Sequence, residues 1–309
     1  MSSIRIDWGP ISEEEWQVLI GHCQRSNLFQ SWSYGEAIRA TEGFKADRGV
    51  VRRAGESIGL VQVFRKSRLN IAHVVKLMRG PLFFDPAPPP ADIAETVQVI
   101  KRRFSVWSRS LLQIMPEVEA GPVADAVLEK CALVQTRTGY ETAWLDLRPE
   151  PATLRNGLRQ NWRHQLVAAE TLGMEVTVES ASEAFEWLME RYERDKREKS
   201  YTGPADALLR RIPTDERLVF RATAAEGPIA GILILLHGRC ATYQVGWNSE
   251  PGRAANAHNL LLWRAVERLR ESGFLALDLG GLDEVAAPGV AHFKRGLGAQ
   301  PVTLMGTYV

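Results

Sequence analysis

The sequence predicts an α/β (α+β) protein of two tandem domains, each a mixed, mainly antiparallel sheet flanked by helices. Helix and strand signals alternate along all 309 residues. One order of elements (hairpin, strand, long helix, strand) occurs twice, and a proline-interrupted stretch separates the two occurrences. The length suits two ordinary domains better than one small core.

Taken in order, "SEEEWQVLIGHCQR" opens with a capping box, Ser12 with Glu15, ahead of an apolar stripe at Trp16, Leu19, Ile20 and Cys23. "SWSYGEAIRATEG" reads as a second helix stopped by Gly43. Two apolar runs around "RAGES" signal a hairpin, and "IAHVVKLMRGPLFF" a further strand halted by Gly80-Pro81. The helix "ADIAETVQVIKRR" follows a proline cluster, and "LLQIMP" returns as a strand. The second half repeats this: a hairpin about "AAEGP", the strand "CATYQVGWNS", the helix "AANAHNLLLWRAVERLRESG" and the strand "FLALDLGG". The domain break is expected at Arg148-Pro149-Glu150-Pro151, giving domains 1–148 and 149–309.

Composition narrows the function classes. Apolar residues make up 45% and charged residues 24%, as in a globular protein. A net charge of +1 advertises neither DNA nor a membrane surface, so any polyanion must meet a local patch. The N-terminus lacks the apolar run of a signal peptide, and no window is apolar for long enough to span a membrane. Cys23, Cys131 and Cys240 share no metal-ligand spacing, which fits reduced thiols in a cytoplasmic, metal-free protein. Nucleophile elbows and paired metal ligands are missing from the sequence.

Several short stretches carry chemistry. "FKRGLG" sets Phe293 and Lys294 before Gly296 and Gly298; a lysine there is either surface or a fixed ammonium able to meet a negative oxygen. "RYERDKREKSYTG" places Arg197 and Tyr201 four apart, on one face if the helix persists that far; a solvated face is the alternative. "LRNGLRQNWRHQLVAAE" spaces Arg155, Arg159 and Arg163 at i, i+4 and i+8, a cationic ridge over buried Leu154, Leu158, Trp162 and Leu166. "SEPGRA" keeps Gly252 and Ala254 of a phosphate-cradling turn but begins with Ser249; Arg253 and His258 lie beside it as anion contacts or as capping groups. Asp278 and Asp283 flank "LGGL" at a strand end, as a base for the attacking amine or as holders of the turn.

In its order, the series "FQSWSYGEAIR", "MRGPLFFD", "LRQNWRHQLVAAETLGMEV", "YQVGWN", "NLLLWRAVERLRESGFLALDLGG" and "FKRGLGA" resembles the FemABX peptidyltransferases. These are tandem GNAT-fold enzymes that move an amino acid from aminoacyl-tRNA onto a peptidoglycan-precursor amine. The resemblance implies that Lys294, with Phe293, holds the aminoacyl carbonyl. It implies that Arg197 and Tyr201 contact a diphosphate of a nucleotide-linked acceptor, with Arg39 as a further phosphate cation and Tyr243 as a substrate contact. Asp85 resembles the family's acceptor-binding aspartate, or else simply begins a turn.

The sequence therefore predicts a cytoplasmic aminoacyl- or acyltransferase acting in cell-wall biogenesis, without a metal or resident cofactor. Aminoacyl-tRNA is the leading donor, and a small amine such as a nucleotide-linked muropeptide the acceptor. The alternatives are an acyl-CoA-dependent N-acyltransferase on a sugar, antibiotic or lipid precursor, or a catalytically idle binding module. A monomer and a dimer are both compatible with the sequence.

Overall fold

The computed structural model describes residues 4–68, 72–180, 182–201 and 203–309. The chain divides into two compact units, Met1–Glu141 with Val302–Val309, and Thr142–Pro301.

The first unit runs β1 (Ile4–Trp8), α1 (Glu13–Gly21), α2 (Trp32–Glu42), β2 (Lys45–Arg53), β3 (Glu56–Arg68), β4 (Ala72–Met78), β5 (Leu82–Phe83), α3 (Pro90–Arg103), β6 (Ser110–Met115), α4 (Pro122–Cys131) and β7 (Gln135–Arg137). Local chemistry sets the boundaries as the sequence implies. Ser12 and Glu15 close a capping box on α1, and Gly43 ends α2 in a left-handed conformation with φ 72°. β1 to β4 are antiparallel, and β4 then runs parallel to β6 from His73↔Ser110 to Met78↔Met115.

The second unit repeats the plan. It contains β8 (Glu141–Asp146), α5 (Pro151–Asn156), α6 (Gln160–Thr171), β9 (Glu175–Glu179), α7 (Ser182–Glu198), α8 (Asp206–Leu209), β10 (Arg217–Ala224), β11 (Gly227–His237), β12 (Cys240–Asn248), α9 (Glu250–Ala254), α10 (Ala257–Glu271), β13 (Ala276–Gly281), α11 (Pro288–Gly296) and β14 (Gln300–Thr303). β9 to β12 are antiparallel, and β12 runs parallel to β13. Helix α10 buries Leu260, Leu261, Trp263, Val266 and Leu269 in this unit's core. The duplication read from the sequence is thus a duplication of topology.

The unit boundary differs from the expected break near Pro149, for a non-local reason. In the second sheet, β8 inserts between β13 and β14. In the first sheet, the equivalent place between β6 and β7 is filled by the chain's last strand, β15 (Thr307–Tyr308). The tail is fixed there by backbone bonds: Met305 N–H to Val118 O at 2.9 Å and Val309 N–H to Val134 O at 3.0 Å. Each sheet is completed by a strand that chain order alone assigns to the other half.

The segment 27–33, which carries the aromatic "FQSWS" stretch, is anchored within the first unit by buried amides. Gln30 donates to Met78 O at 2.8 Å and Gln62 O at 3.1 Å, and its Oε1 accepts the Gln62 N–H at 2.7 Å. Trp16, fully buried, donates its indole N–H to Gln30 O at 2.9 Å. Replacing Gln30 by leucine strands these backbone groups, each worth ~1–3 kcal/mol when left unpaired. A Gln30→Leu variant is therefore expected to lose about 3 kcal/mol in urea unfolding, with an unchanged m value.

Candidate active site

In the second unit, the parallel pair is short. β12 and β13 register only at Cys240↔Ala276, Ala241↔Leu277 and Thr242↔Asp278. Beyond Thr242, each strand leaves the ladder through an irregularity. β12 shifts register against β11 between Leu233 and Ile234, and β13 shifts against β8 between Asp278 and Gly281. A bulge bends its strand and breaks local pairing, so the two strands splay from this point. Gly280 occupies the opening with φ 70°. That backbone conformation favours glycine; a side chain there would only make ordinary contacts, 3.4 Å from Tyr243 O and 3.7 Å from Lys294 Nζ.

Helix α11 delivers Lys294 to this opening. The residue is 8% exposed, and its Nζ donates to Gly281 O at 2.8 Å, with the Tyr243 ring centroid 5.7 Å away. Burial lowers its pKa from 10.5 to about 8, a shift the Asp278 carboxylate opposes. Phe293 turns the other way, packing 5.9 Å from the Trp162 ring and 6.2 Å from His258. Asp278, 1% exposed, accepts from the Thr142 hydroxyl at 2.5 Å and the Gly280 N–H at 2.8 Å, and so holds the bulge that presents Gly281 O to the lysine. Thr142 has no motif around it and was not legible in the sequence.

Tyr243 is half-buried; burial first, and nearby Tyr201 second, push its pKa up. Tyr201 itself is pushed up to about 12, by burial and then by Asp195. The structure thus gathers Lys294, Asp278 and Tyr243, with Tyr201 next to Tyr243. Arg197 and Tyr201 do not share a helical face. α7 ends at Glu198 and Ser200 takes φ 52°, which turns Tyr201 onto the Tyr192 ring at 6.3 Å. Arg197 is exposed and lines a cleft of ≈ 390 Å³ with Glu190, Glu193, Arg194, Asp206 and Arg210, a balanced rather than cationic surface.

Other expected positions take structural roles. The cationic ridge is broken, because Arg159 is extended (ψ 147°) between α5 and α6; Arg155 pairs with Glu170 and Arg163 donates to Asn156 O. Leu154, Leu158, Trp162 and Leu166 are buried as expected. Asp85 Oδ1 accepts the Ala87 N–H at 2.9 Å, the turn reading, and Asp283 likewise accepts from Val285 and Ala286. In the first unit, Arg39 is exposed and paired with Glu36 at 2.7 Å.

The "SEPGRA" turn is closed on itself. Ser249 Oγ accepts the Gly252 N–H at 3.1 Å, Ser249 O accepts the Arg253 N–H at 2.9 Å, and the Arg253 guanidinium donates to Asn248 O. A side chain at Gly252 would meet Asn248 Oδ1 at 2.2 Å, so the glycine serves packing, and Ala254 ends the short helix α9. His258 is half-buried; desolvation lowers its pKa to about 4, and its Nε2 bonds Trp247 O at 2.9 Å, so it stays neutral and is no anion contact. All three cysteines are buried thiols. Among the described residues, no helix is long and apolar enough to cross a membrane, and no cluster of three metal-ligating side chains occurs.

A buried lysine with a lowered pKa makes stability pH-dependent. Between pH 8 and 10.5 the unfolded state holds a proton that the folded state has released, so Lys294 makes stability rise with pH across that window. Relative to Lys294→Met, the wild type is expected to gain on the order of 3 kcal/mol between those pH values. Parallel pH dependences in guanidinium unfolding would show the ammonium to be solvated.

Residues 154–295 match the family model described as "Acetyltransferase (GNAT) domain". A comparison with curated proteins gave no match. Among solved structures, FemX is similar with a TM-score of 0.79 at 15% identity, over 98% of this chain and 96% of FemX. A conserved protein of unknown function from Bacteroides thetaiotaomicron gives 0.62 at 13% identity, over 98% of both chains. A tandem GNAT protein from the clavulanic acid biosynthesis pathway gives 0.52 at 14%, also over 98% of both. By the domain match the second unit carries an acetyltransferase-type GNAT domain, and by a fold shared with FemX from end to end the chain is a tandem GNAT protein.

Proposed function

We propose that this protein transfers an aminoacyl group from aminoacyl-tRNA to an amine acceptor, a peptidoglycan precursor or another small molecule, at the opening between β12 and β13. The observation that carries the reading is the buried Lys294 ammonium at that opening. The amine nitrogen attacks the ester carbonyl carbon, and the carbonyl oxygen takes the charge. Collapse breaks the C–O bond; the attacking amine gives up a proton, and the departing alkoxide takes one up, through solvent, to leave as the hydroxyl. Every group has its place without a covalent enzyme intermediate. At pH 7 a lysine of pKa about 8 is about nine-tenths protonated, so Lys294 meets the oxyanion as a cation in a water-poor site. Asp278 and Thr142 keep it aimed through the bulge, and Tyr243 and Tyr201 flank the substrate. Arg197, Arg39 and Asp85 are candidate acceptor contacts, the last only if it leaves its turn. No resident cofactor is required.

A second reading, acyl-CoA as donor, is favoured by the acetyltransferase domain match. Against it, the turn where a coenzyme pyrophosphate would seat has its amides satisfied by Ser249. A donor assay separates the two. Aminoacyl-tRNA pools and acyl-CoAs are offered separately, with a nucleotide-linked muropeptide and a small-amine extract as acceptors. Transfer from tRNA is expected, reduced roughly 100- to 1,000-fold in Lys294→Ala; transfer from acyl-CoA alone selects the second reading. Equal turnover by Lys294→Ala removes the lysine from the mechanism, and transfer from neither donor favours a binding module.

The protonation state gives a further expectation. If Lys294 acts as a cation, kcat/KM falls as pH rises through about 8, the value at which it loses its proton. The more basic Lys294→Arg retains part of the activity and lacks that fall. A kcat/KM that instead rises through the same pH would assign the lysine as a base.

A further inference from the structure

The first unit carries a surface that nothing in the acyl-transfer chemistry uses. Between α3 and β6 lies a short turn, Val106–Ser108, whose Trp107 is 94% exposed and Val106 80%. Monomer surfaces scatter single apolar side chains freely, but a contiguous exposed patch marks an interaction site. Leu111, 64% exposed, follows four residues after Trp107 at the second position of β6. Its direct neighbour across the parallel ladder is Val74, and the next is Lys66.

The turn presents these side chains rigidly. Ser110 N–H returns to Ser105 O at 3.1 Å, Arg109 N–H to Val106 O at 2.9 Å, and Ser108 Oγ bonds Ser105 O at 2.7 Å. Arg109 O in turn accepts the His73 N–H at 2.8 Å, tying the turn to the start of β4. Trp107 is therefore held outward by a closed backbone, with no aromatic or cation–π partner among the described residues.

The chain segment that carries the turn holds charge of one sign. From Thr96 to Pro116 the sequence has Lys101, Arg102, Arg103 and Arg109 and no acidic residue. Arg102 and Arg109 are exposed and, among the described residues, have no ion-pair partner; Arg103 lies over the Trp8 ring at 4.9 Å. In a chain of net charge +1 this is a local concentration of cations. An indole at the tip, aliphatic side chains beside it and arginines around it is the pattern of an interfacial membrane anchor. The apolar tip enters the headgroup boundary while the cations meet anionic lipid. An aliphatic residue on the turn and another on β6 distinguish it from a nucleic-acid platform, which uses stacking rings with little need for valine or leucine.

We propose that the Val106–Trp107–Leu111 surface docks the protein reversibly onto an anionic lipid membrane. Docking needs no membrane span and no substrate, so its test stands apart from the acyl-transfer reading. The full chain is sedimented with phosphatidylcholine vesicles and with phosphatidylcholine–phosphatidylglycerol vesicles at low and high salt. It is expected to bind the anionic vesicles and to be released by salt. Trp107→Ala should weaken binding roughly tenfold, and Arg102→Gln with Arg109→Gln roughly fivefold per charge removed. Because these side chains are exposed, the variants should keep the wild-type unfolding midpoint. The proposal is overturned by absence of binding, by binding that ignores Trp107, or by equal binding to neutral vesicles. It is also overturned if Trp107 supports tRNA binding or self-association while vesicles leave the protein in solution.

Discussion

The second unit's chemistry depends on where one parallel ladder stops. Parallel strands joined through a helix normally zip along their length, as β4 and β6 do from His73 to Met78. β12 and β13 part after Thr242 and Asp278. What parting costs in unmade backbone bonds is offset locally: Asp278 takes the Gly280 N–H, and Gly281 O takes the Lys294 ammonium. The same topology, drawn twice, therefore yields one closed sheet and one with an opening. In the first unit, the residues that would face such an opening are bonded to the neighbouring strand.

A lysine at this opening trades stability for chemistry. Its lowered pKa means that folding works against hydration of the ammonium, and the Gly281 carbonyl with Asp278 recovers only part of that loss. An apolar side chain would be the more stable filling. In the proposed transfer the lysine offers a positive charge already desolvated and aimed, so little reorganisation remains when an oxyanion forms beside it. On the other side of the lysine's helix, Phe293 packs between the neutral His258 and Trp162.

Much of this was legible because it is local. Ser12 and Glu15 cap α1, Gly43 ends α2 and the two hairpins lie where their turn residues put them, since neighbouring atoms decide each case. The misread features depended on backbone that periodicity cannot see. The arginine ridge assumed a continuous helix, but the chain extends at Arg159. The Arg197–Tyr201 face assumed one more turn of α7, but Ser200 is left-handed. Lys294 stood out as a candidate by its place in an ordered series of motifs; Thr142, the donor to Asp278, did not, because a single threonine on a strand gives no signal until its neighbour across the sheet is known.

That neighbour arrives through the exchange of final strands, which is also why the expected domain boundary and the observed one differ. β8 follows the first unit in sequence but pairs with β13, and its Thr142 supplies the hydroxyl that fixes Asp278. The chain's last strand, β15, fills the matching place beside β6. A division at Pro149 would remove β8 from the second unit and leave the Asp278 bulge without its donor, while residues 302–309 would lose the sheet they pair with. The opening at Lys294 therefore belongs to a unit that begins at Thr142, and the strand exchange is part of the candidate site's geometry as well as of the fold.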